Sequence, residues 1–160
     1  MNEVLTADPQ SASEELLSLI YVSIAASGLG PQDLADMLKK SAPLNQRDGV
    51  HGTLLMSNGH FMHCLEGERS GVERSLARIK ASRLHHRMIE LVRSPVSRRR
   101  FSGSNWAYKL GAQREFSNPA TAQMLEAPGH DQPVTWGRRT IEQRILREFW
   151  DTPGDYQRIW

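Results

Sequence analysis

A single cysteine, Cys64, stands in the 160-residue chain. That excludes an internal disulfide and a cysteine-built zinc cluster, and nothing argues for an oxidising compartment. An excess of one charge is missing too. The 20 basic residues are offset by 18 acidic ones, too even a balance to mark a nucleic acid or an anionic membrane as partner. The run Arg98-Arg99-Arg100 is the local exception, and three like charges beside a strand read as a solvated edge. No apolar stretch approaches the about 20 residues that a membrane-spanning helix needs. Residues 1–15 are polar, with Pro9, and lack the basic start and apolar centre of a secretory signal. The expectation is a cytoplasmic, soluble protein with a flexible leader over 1–15.

What is present suffices for a globular fold. Apolar residues make up 39% and charged residues 24% of the chain, unlike the apolar-poor, charge-rich composition of disorder. The length suits one domain plus an appendage. Leu16, Leu17, Leu19, Ile20, Val22 and Ile24 form a nearly unbroken apolar run, the pattern of a central strand covered on both faces. It ends at Ser27-Gly28-Leu29-Gly30. Pro31 then suits a first helical turn, and Leu34, Met37 and Leu38 recur at helical spacing across 32–40. A loop over 41–48 follows.

Residues 50–56 and 60–65 read as two strands joined by Ser57-Asn58-Gly59, which supplies the left-handed backbone of a hairpin turn. Val72, Leu76 and Ile79 mark one face of a second helix over 72–81. Met88, Ile89, Leu91 and Val92 form a strand closed by Ser94-Pro95, and a last strand is expected within 101–110, interrupted by Ser102-Gly103-Ser104. Strand-helix-strand twice over, with a hairpin in the middle, is an α+β, ferredoxin-like arrangement: a sheet with two helices on one face. Something else must cover the other face. The candidates are a short helix over 119–125 and a helix over 136–150 carrying Ile141, Ile145, Leu146 and Phe149.

Several segments together resemble the BLUF family of flavin-dependent blue-light sensors, over residues 16–110. They are Leu19-Ile20-Tyr21-Val22-Ser23, then Ser41 and Asn45, then Gly49-Val50-His51-Gly52-Thr53-Leu54-Leu55. Gly59-His60-Phe61-Met62-His63-Cys64-Leu65-Glu66-Gly67, Arg83-Leu84-His85 and Arg100-Phe101 with Trp106 complete the set. The resemblance implies FAD as cofactor, with its ring between the two helices against the sheet. It implies that Tyr21 gives an electron and a proton to the excited ring, and that the amide of Asn45 meets the ring's carbonyl and imide edge. Ser23, Ser41, Arg83 and His85 are the further implied contacts, the last two toward the ribityl or phosphate portion. Trp106 is implied as an output element beside the chromophore. Taken singly, each has a plain structural reading: a packed tyrosine, a turn-closing asparagine, a helix-end serine, a core tryptophan.

The sequence departs from the family at its switch, a glutamine, for which His63 stands. An amide presents a donor and an acceptor and can rearrange, whereas neutral imidazole offers both in a rigid ring whose tautomer decides which nitrogen does which job. Three readings follow: His63 shuttles a proton by tautomer exchange, or flavin binds with a weak response, or flavin binding is lost. Leu84 stands for an expected arginine, and Ser82 for an aspartate. Ser104 and Trp106 fall on the family's tryptophan and methionine without a gap, whereas a two-residue insertion would match Trp106 and Tyr108 to that pair.

The leading function is FAD-based light sensing, passed through a helical extension over 111–160 to a signalling partner or to sister subunits of a homo-oligomer. The rival is a flavin-free interaction module of the same fold. A metal or haem site built from His51, His60, His63 and His85 has no recognisable ligand spacing. An enzyme is not expected, because Glu66 has no second carboxylate or nucleophile set beside it.

Overall fold

The structure, a computed structural model, describes residues 14–126 and 140–152. Nearly all of the expected leader, and Trp136 at the start of the last expected helix, lie outside those residues. The chain runs β1 (Leu16–Ala25), α1 (Pro31–Arg47), β2 (His51–Ser57), β3 (His60–Glu68), α2 (Arg69–Ala81), β4 (His85–Val96), β5 (Ser104–Leu110), β6 (Gln113–Phe116), α3 (Pro119–Glu126) and α4 (Ile141–Asp151). The strands form one sheet in the order β4-β1-β3-β2-β5-β6, in which β2 and β5 run parallel and the other neighbours antiparallel.

The apolar run of β1 is buried on both faces, as its sequence implies. Leu17, Leu19 and Tyr21 pack with Val50, Leu65, Val72 and Leu76 on the side of α2. Ala25 joins Leu34, Leu54, Met56, Phe61 and Tyr108 on the side of α1. Ile20 points the other way, to Leu55, Met62, Cys64 and Ala107, under a cover of Leu125, Leu146, Phe149 and Trp150. The α+β sheet with two helices on one face therefore stands, and α3 and α4 close the opposite face. Thr140 starts α4, its hydroxyl accepting from the Gln143 amide while the Gln143 side chain accepts from the Thr140 amide. The β2–β3 hairpin turns on Asn58 and Gly59, both at positive φ (47° and 80°), the pair that a two-residue turn of this hand requires.

Five local readings change. Helix α1 does not stop near residue 40 but continues through Pro43 to Arg47. Proline's missing N–H forfeits one helical bond, yet the turn after it is held by the Asp48 amide donating to the Leu44 carbonyl at 3.1 Å. Asn45 is thus helical, not in a loop. Strand β4 begins at His85 and continues through Pro95. An edge strand has an outer row of unpaired amides, so a proline there need cost no ladder bond. β5 begins only at Ser104, Phe101 being buried in the loop before it, and β6 was not foreseen. The three arginines are not simply a solvated edge. Arg99 donates to the Gly49 carbonyl at 2.8 Å, and Arg100 forms an ion pair with Glu142 of α4.

Candidate functional site: a cleft between the first helix and the sheet

Strand register places Tyr21, His63, Leu54 and Trp106 in one line across β1, β3, β2 and β5. Side chains alternate along a strand, and this line belongs to the face covered by α1 and α2. Alongside its outer half lies a cleft of about 350 Å³ lined by α1 and by His63, Leu54, Gly52 and Trp106. That volume is at the lower end of the range for small-molecule sites, roughly 300 to 1,000 Å³. From α1 the cleft receives residues 35, 38, 39, 41, 42 and 45. Ala35 and Ala42 leave space there, Leu38 supplies an apolar wall, and Ser41 and Asn45 supply polar groups.

At the inner end, the Tyr21 hydroxyl lies 3.2 Å from Nδ1 of His63. Tyr21 is 4% exposed, and burial pushes its phenol well above the ordinary value of 10.0. Burial pushes the His63 imidazole down to about 3, and the neighbouring His85 adds to the effect. The ring is therefore neutral at physiological pH and keeps one donor and one acceptor. The pair has two arrangements. Either the phenol donates to Nδ1 and Nε2 carries the proton, or Nδ1–H donates to the phenol oxygen and Nε2 is left as acceptor. His85 sits beside them, its ring centroid 6.1 Å from that of Tyr21 and 6.3 Å from that of Phe61. Its Nε2 lies 2.7 Å from the Ile79 carbonyl and so carries a proton.

Asn45 faces both the cleft and α2. Its Oδ1 accepts from Ser75 Oγ at 3.0 Å and from Arg78 Nη2 at 3.2 Å. Two donors on one atom fix the amide orientation. Arg78 also donates to Asp48 at 2.6 Å, and Arg74 does so at 3.1 Å. The gap between α1 and α2, where the resemblance puts the flavin ring, is thus crossed by a polar network, and the cleft opens on the other side of α1. The Asp48 side chain is 4% exposed, and its carboxyl is held far below the ordinary carboxylate range, chiefly by Arg78 and then by Arg47 and Arg74. A depressed folded-state pKa contributes stability above the unfolded value of about 4, lost as pH falls below it. Asp48→Asn is therefore expected to be less stable than the natural protein at pH 7 and to lose less further stability between about pH 4 and pH 2. Urea midpoints across that interval test this, and parallel declines for the two proteins would contradict it.

The structure brings Tyr21, His63, Asn45, Ser41 and Trp106 to this region. Trp106 lines the cleft and lies parallel to Tyr108, with ring centroids 6.4 Å apart. The Ser41 hydroxyl donates to the Leu38 carbonyl at 3.4 Å. Ser23 is 1% exposed on the same face as Tyr21, and its hydroxyl finds no partner among the described residues; nor does Nδ1 of His85. Arg83 stands exposed between α2 and β4, outside the cleft. Lys39, Ser75, Arg78 and Asp48 were not anticipated. The spacing of Arg74 and Arg78, one helical turn apart and facing an aspartate just past the end of α1, was the available signal. Among the described residues no three His, Cys, Asp or Glu converge as a metal site.

A split ferredoxin-like sheet thus carries a buried phenol–imidazole pair beside an apolar-walled cleft of small-ligand size. The family described as "Sensors of blue-light using FAD", BLUF, matches residues 16–108, and the chain belongs to that family. It carries a flavin-binding blue-light sensor domain, a sensing and not a catalytic module, with FAD as the family's cofactor. The Euglena gracilis photoactivated adenylate cyclase subunit alpha is 27% identical over 85 residues, 53% of this chain and 8% of that protein. The chain thus spans only about a tenth of the curated relatives it matches. The Klebsiella pneumoniae BlrP1 calcium/cy-diGMP complex is similar at 26% identity and a TM-score of 0.64, over 84% of this chain and 34% of that one. The dark-state BLUF protein BlrB shares the fold at a TM-score of 0.59 and 24% identity, over 70% of this chain and 79% of that one.

The residues present fit a flavin. The cleft walls of Leu38, Leu54 and Trp106 suit a flat apolar ring, and Asn45 and His63 suit its polar edge. The buried Ser23 hydroxyl and His85 Nδ1 add hydrogen-bonding capacity that the described residues leave unused, a state that usually has an explanation.

Proposed function

We propose that this chain is an FAD-binding blue-light photoreceptor whose switch is the Tyr21–His63 pair. Its signal leaves the sheet through β5 and the covering helices α3 and α4, to a protein partner or to a sister copy. The observation that carries this reading is the 3.2 Å approach of the Tyr21 hydroxyl to His63 at the inner end of the cleft. When bound, FAD supplies blue-light absorption and a strongly oxidising excited ring. Tyr21 is the buried phenol placed to lose a proton, and His63 could accept it at Nδ1 while its Nε2 proton passes to an acceptor on the edge of the bound flavin ring. The imidazole thereby exchanges tautomers without turning. Asn45, oriented by Ser75 and Arg78, holds the ring edge, and Ser41 adds a hydroxyl to the cleft wall. Beyond the line of site residues, Ala107 follows Trp106 on β5 and faces the α4 side. Any shift of β5 is therefore felt under Phe149 and Trp150.

A rigid ring offers fewer arrangements than an amide, so the light response is expected to be small. The test is absorption of protein purified with FAD, dark and after blue light, beside His63→Gln. The expected result is a reversible red shift in the natural protein and a larger one in His63→Gln. The second reading, a flavin-free interaction module, draws on the polar network that spans the α1–α2 gap. If both proteins stay colourless, that second reading replaces the first.

A further inference from the structure

We propose that Arg78 is a positioning residue that tunes the flavin: it sets Asn45 against the ring edge, and its charge makes the site prefer reduced flavin, which gathers negative charge, over the oxidised form. This rests on reading Asn45 as the residue that holds the ring edge. Arg78 reaches from α2 to α1, across the gap where the resemblance puts the ring. Its Nη1 donates to Asp48 Oδ2 at 2.6 Å, and its Nη2 donates to Asn45 Oδ1 at 3.2 Å and to Ser75 Oγ at 2.9 Å. One guanidinium thus joins both helices. Ser75 also donates to Asn45 Oδ1, at 3.0 Å, so the amide oxygen is committed and the amide nitrogen is left to donate to a carbonyl.

The charge around Asn45 is unbalanced. Arg47, Arg74 and Arg78 all form ion pairs with Asp48, and among the described residues no second carboxylate forms an ion pair with any of them. Three cations to one anion leave an excess of positive charge at this end of the helix pair. Of the three, Arg78 is the least exposed, 32% against 54% for Arg74 and 64% for Arg47, and it is the one that touches Asn45. A charge acts most strongly where water screens it least. Leu84 stands where the resemblance expects an arginine, and Arg83 is exposed between α2 and β4, so Arg78 is the cation that reaches the residue at the ring edge. A guanidinium one side chain removed from that edge stabilises the negative charge that a ring takes up on reduction, one of the ways a protein tunes a flavin.

Reduction potentials of FAD bound to the full chain, read by dithionite titration beside an indicator dye, test this for the natural protein, Arg78→Gln, Arg78→Lys and Arg74→Gln. Arg78→Gln should lower the preference for reduced over oxidised flavin about tenfold, a fall of about 30 mV for a two-electron couple. Arg78→Lys keeps the charge but not the planar fork, so it should hold that preference within about threefold while binding oxidised FAD more weakly. Arg74→Gln removes an equal charge from the same carboxylate without a contact to Asn45, and should shift the preference by no more than about threefold. An unchanged potential in Arg78→Gln, or equal shifts in Arg78→Gln and Arg74→Gln, overturns the assignment of Arg78. If Arg78→Gln does not fold, Arg78→Lys decides: a potential close to the natural one supports the role of the charge, and a fall of about tenfold or more refutes it. If the natural protein binds no flavin, the reading of Asn45 as a ring contact falls, and the role of Arg78 with it.

Discussion

Gly52→Ala is expected to lower the melting temperature by about 10 °C or to prevent folding. A β-carbon built at residue 52 would stand 2.0 Å from the carbonyl oxygen of Cys64 and 3.1 Å from its carbonyl carbon. Both are backbone atoms of the neighbouring strand, so no side-chain rotation relieves the overlap. The strand cannot slide away either. Gly52 pairs with Leu65 on one side and with Ser104 on the other, its amide donates to Gly103 at 2.9 Å, and its carbonyl accepts from Asn105 at 3.1 Å. Forcing strands apart in a packed interior costs about 3 kcal/mol or more, which in a domain of this size is about 10 °C. Gly28→Ala is the comparison: its φ of 81° disfavours a side chain but nothing lies within 4 Å of the new carbon, so the cost is only about 1 kcal/mol. Thermal unfolding of the two variants separates the explanations. Equal shifts would mean that backbone conformation, not close approach, keeps glycine at 52. The same close approach serves the site, because Gly52 is a bare stretch of cleft wall next to His63 and Leu54.

Much of this arrangement could be read from residue types alone. The run in β1 gives a doubly covered central strand, Asn58-Gly59 gives the hairpin, and alternation gives the face that each strand residue meets. The motif resemblance marks Tyr21, His63, Asn45 and Trp106 as candidates, and the register places Tyr21, His63 and Trp106 in one line while Asn45 lines the cleft beside it. What stayed hidden depends on contacts between distant residues. The end of α1 was obscured by Pro43, which usually stops a helix but is outweighed here by the bonds after it. The Asp48 cluster joins residues 26 and 30 apart in sequence, a separation that no local period reports. Glu66 illustrates the same limit. In sequence it is part of a motif, yet in the fold it is fully buried, with Oε2 accepting from the Arg100 amide at 2.6 Å and so pinning the loop whose arginine reaches α4.

Trp150→Ala is expected to cost about 4 kcal/mol, the usual loss for removing a large buried aromatic. The side chain is 1% exposed and belongs to the cluster with Ile20, Leu55, Met62 and Ala107, residues of four strands, so its removal opens a cavity in the layer between α4 and the sheet. Its ring packs on Phe116 with centroids 5.5 Å apart, and Lys109 Nζ lies 4.6 Å from the ring centre. The indole N–H donates to Glu126 at 3.2 Å. One residue thus ties α4 to β5, β6 and α3. The substitution leaves Glu126 with Arg114 at 2.6 Å, so no buried carboxylate is stranded and the loss measures packing. Urea unfolding should show a lower midpoint, and hydrogen exchange should quicken across residues 141–151 and along β5. Since Ala107 and Trp106 adjoin on β5, loosening the α4 side of that strand should also alter the cleft side, read as a change in flavin affinity or spectrum. A loss below about 1 kcal/mol with unchanged exchange would mean that α4 does not hold the sheet. The route from the Tyr21–His63 pair to the C-terminal helices would then have to leave by another strand.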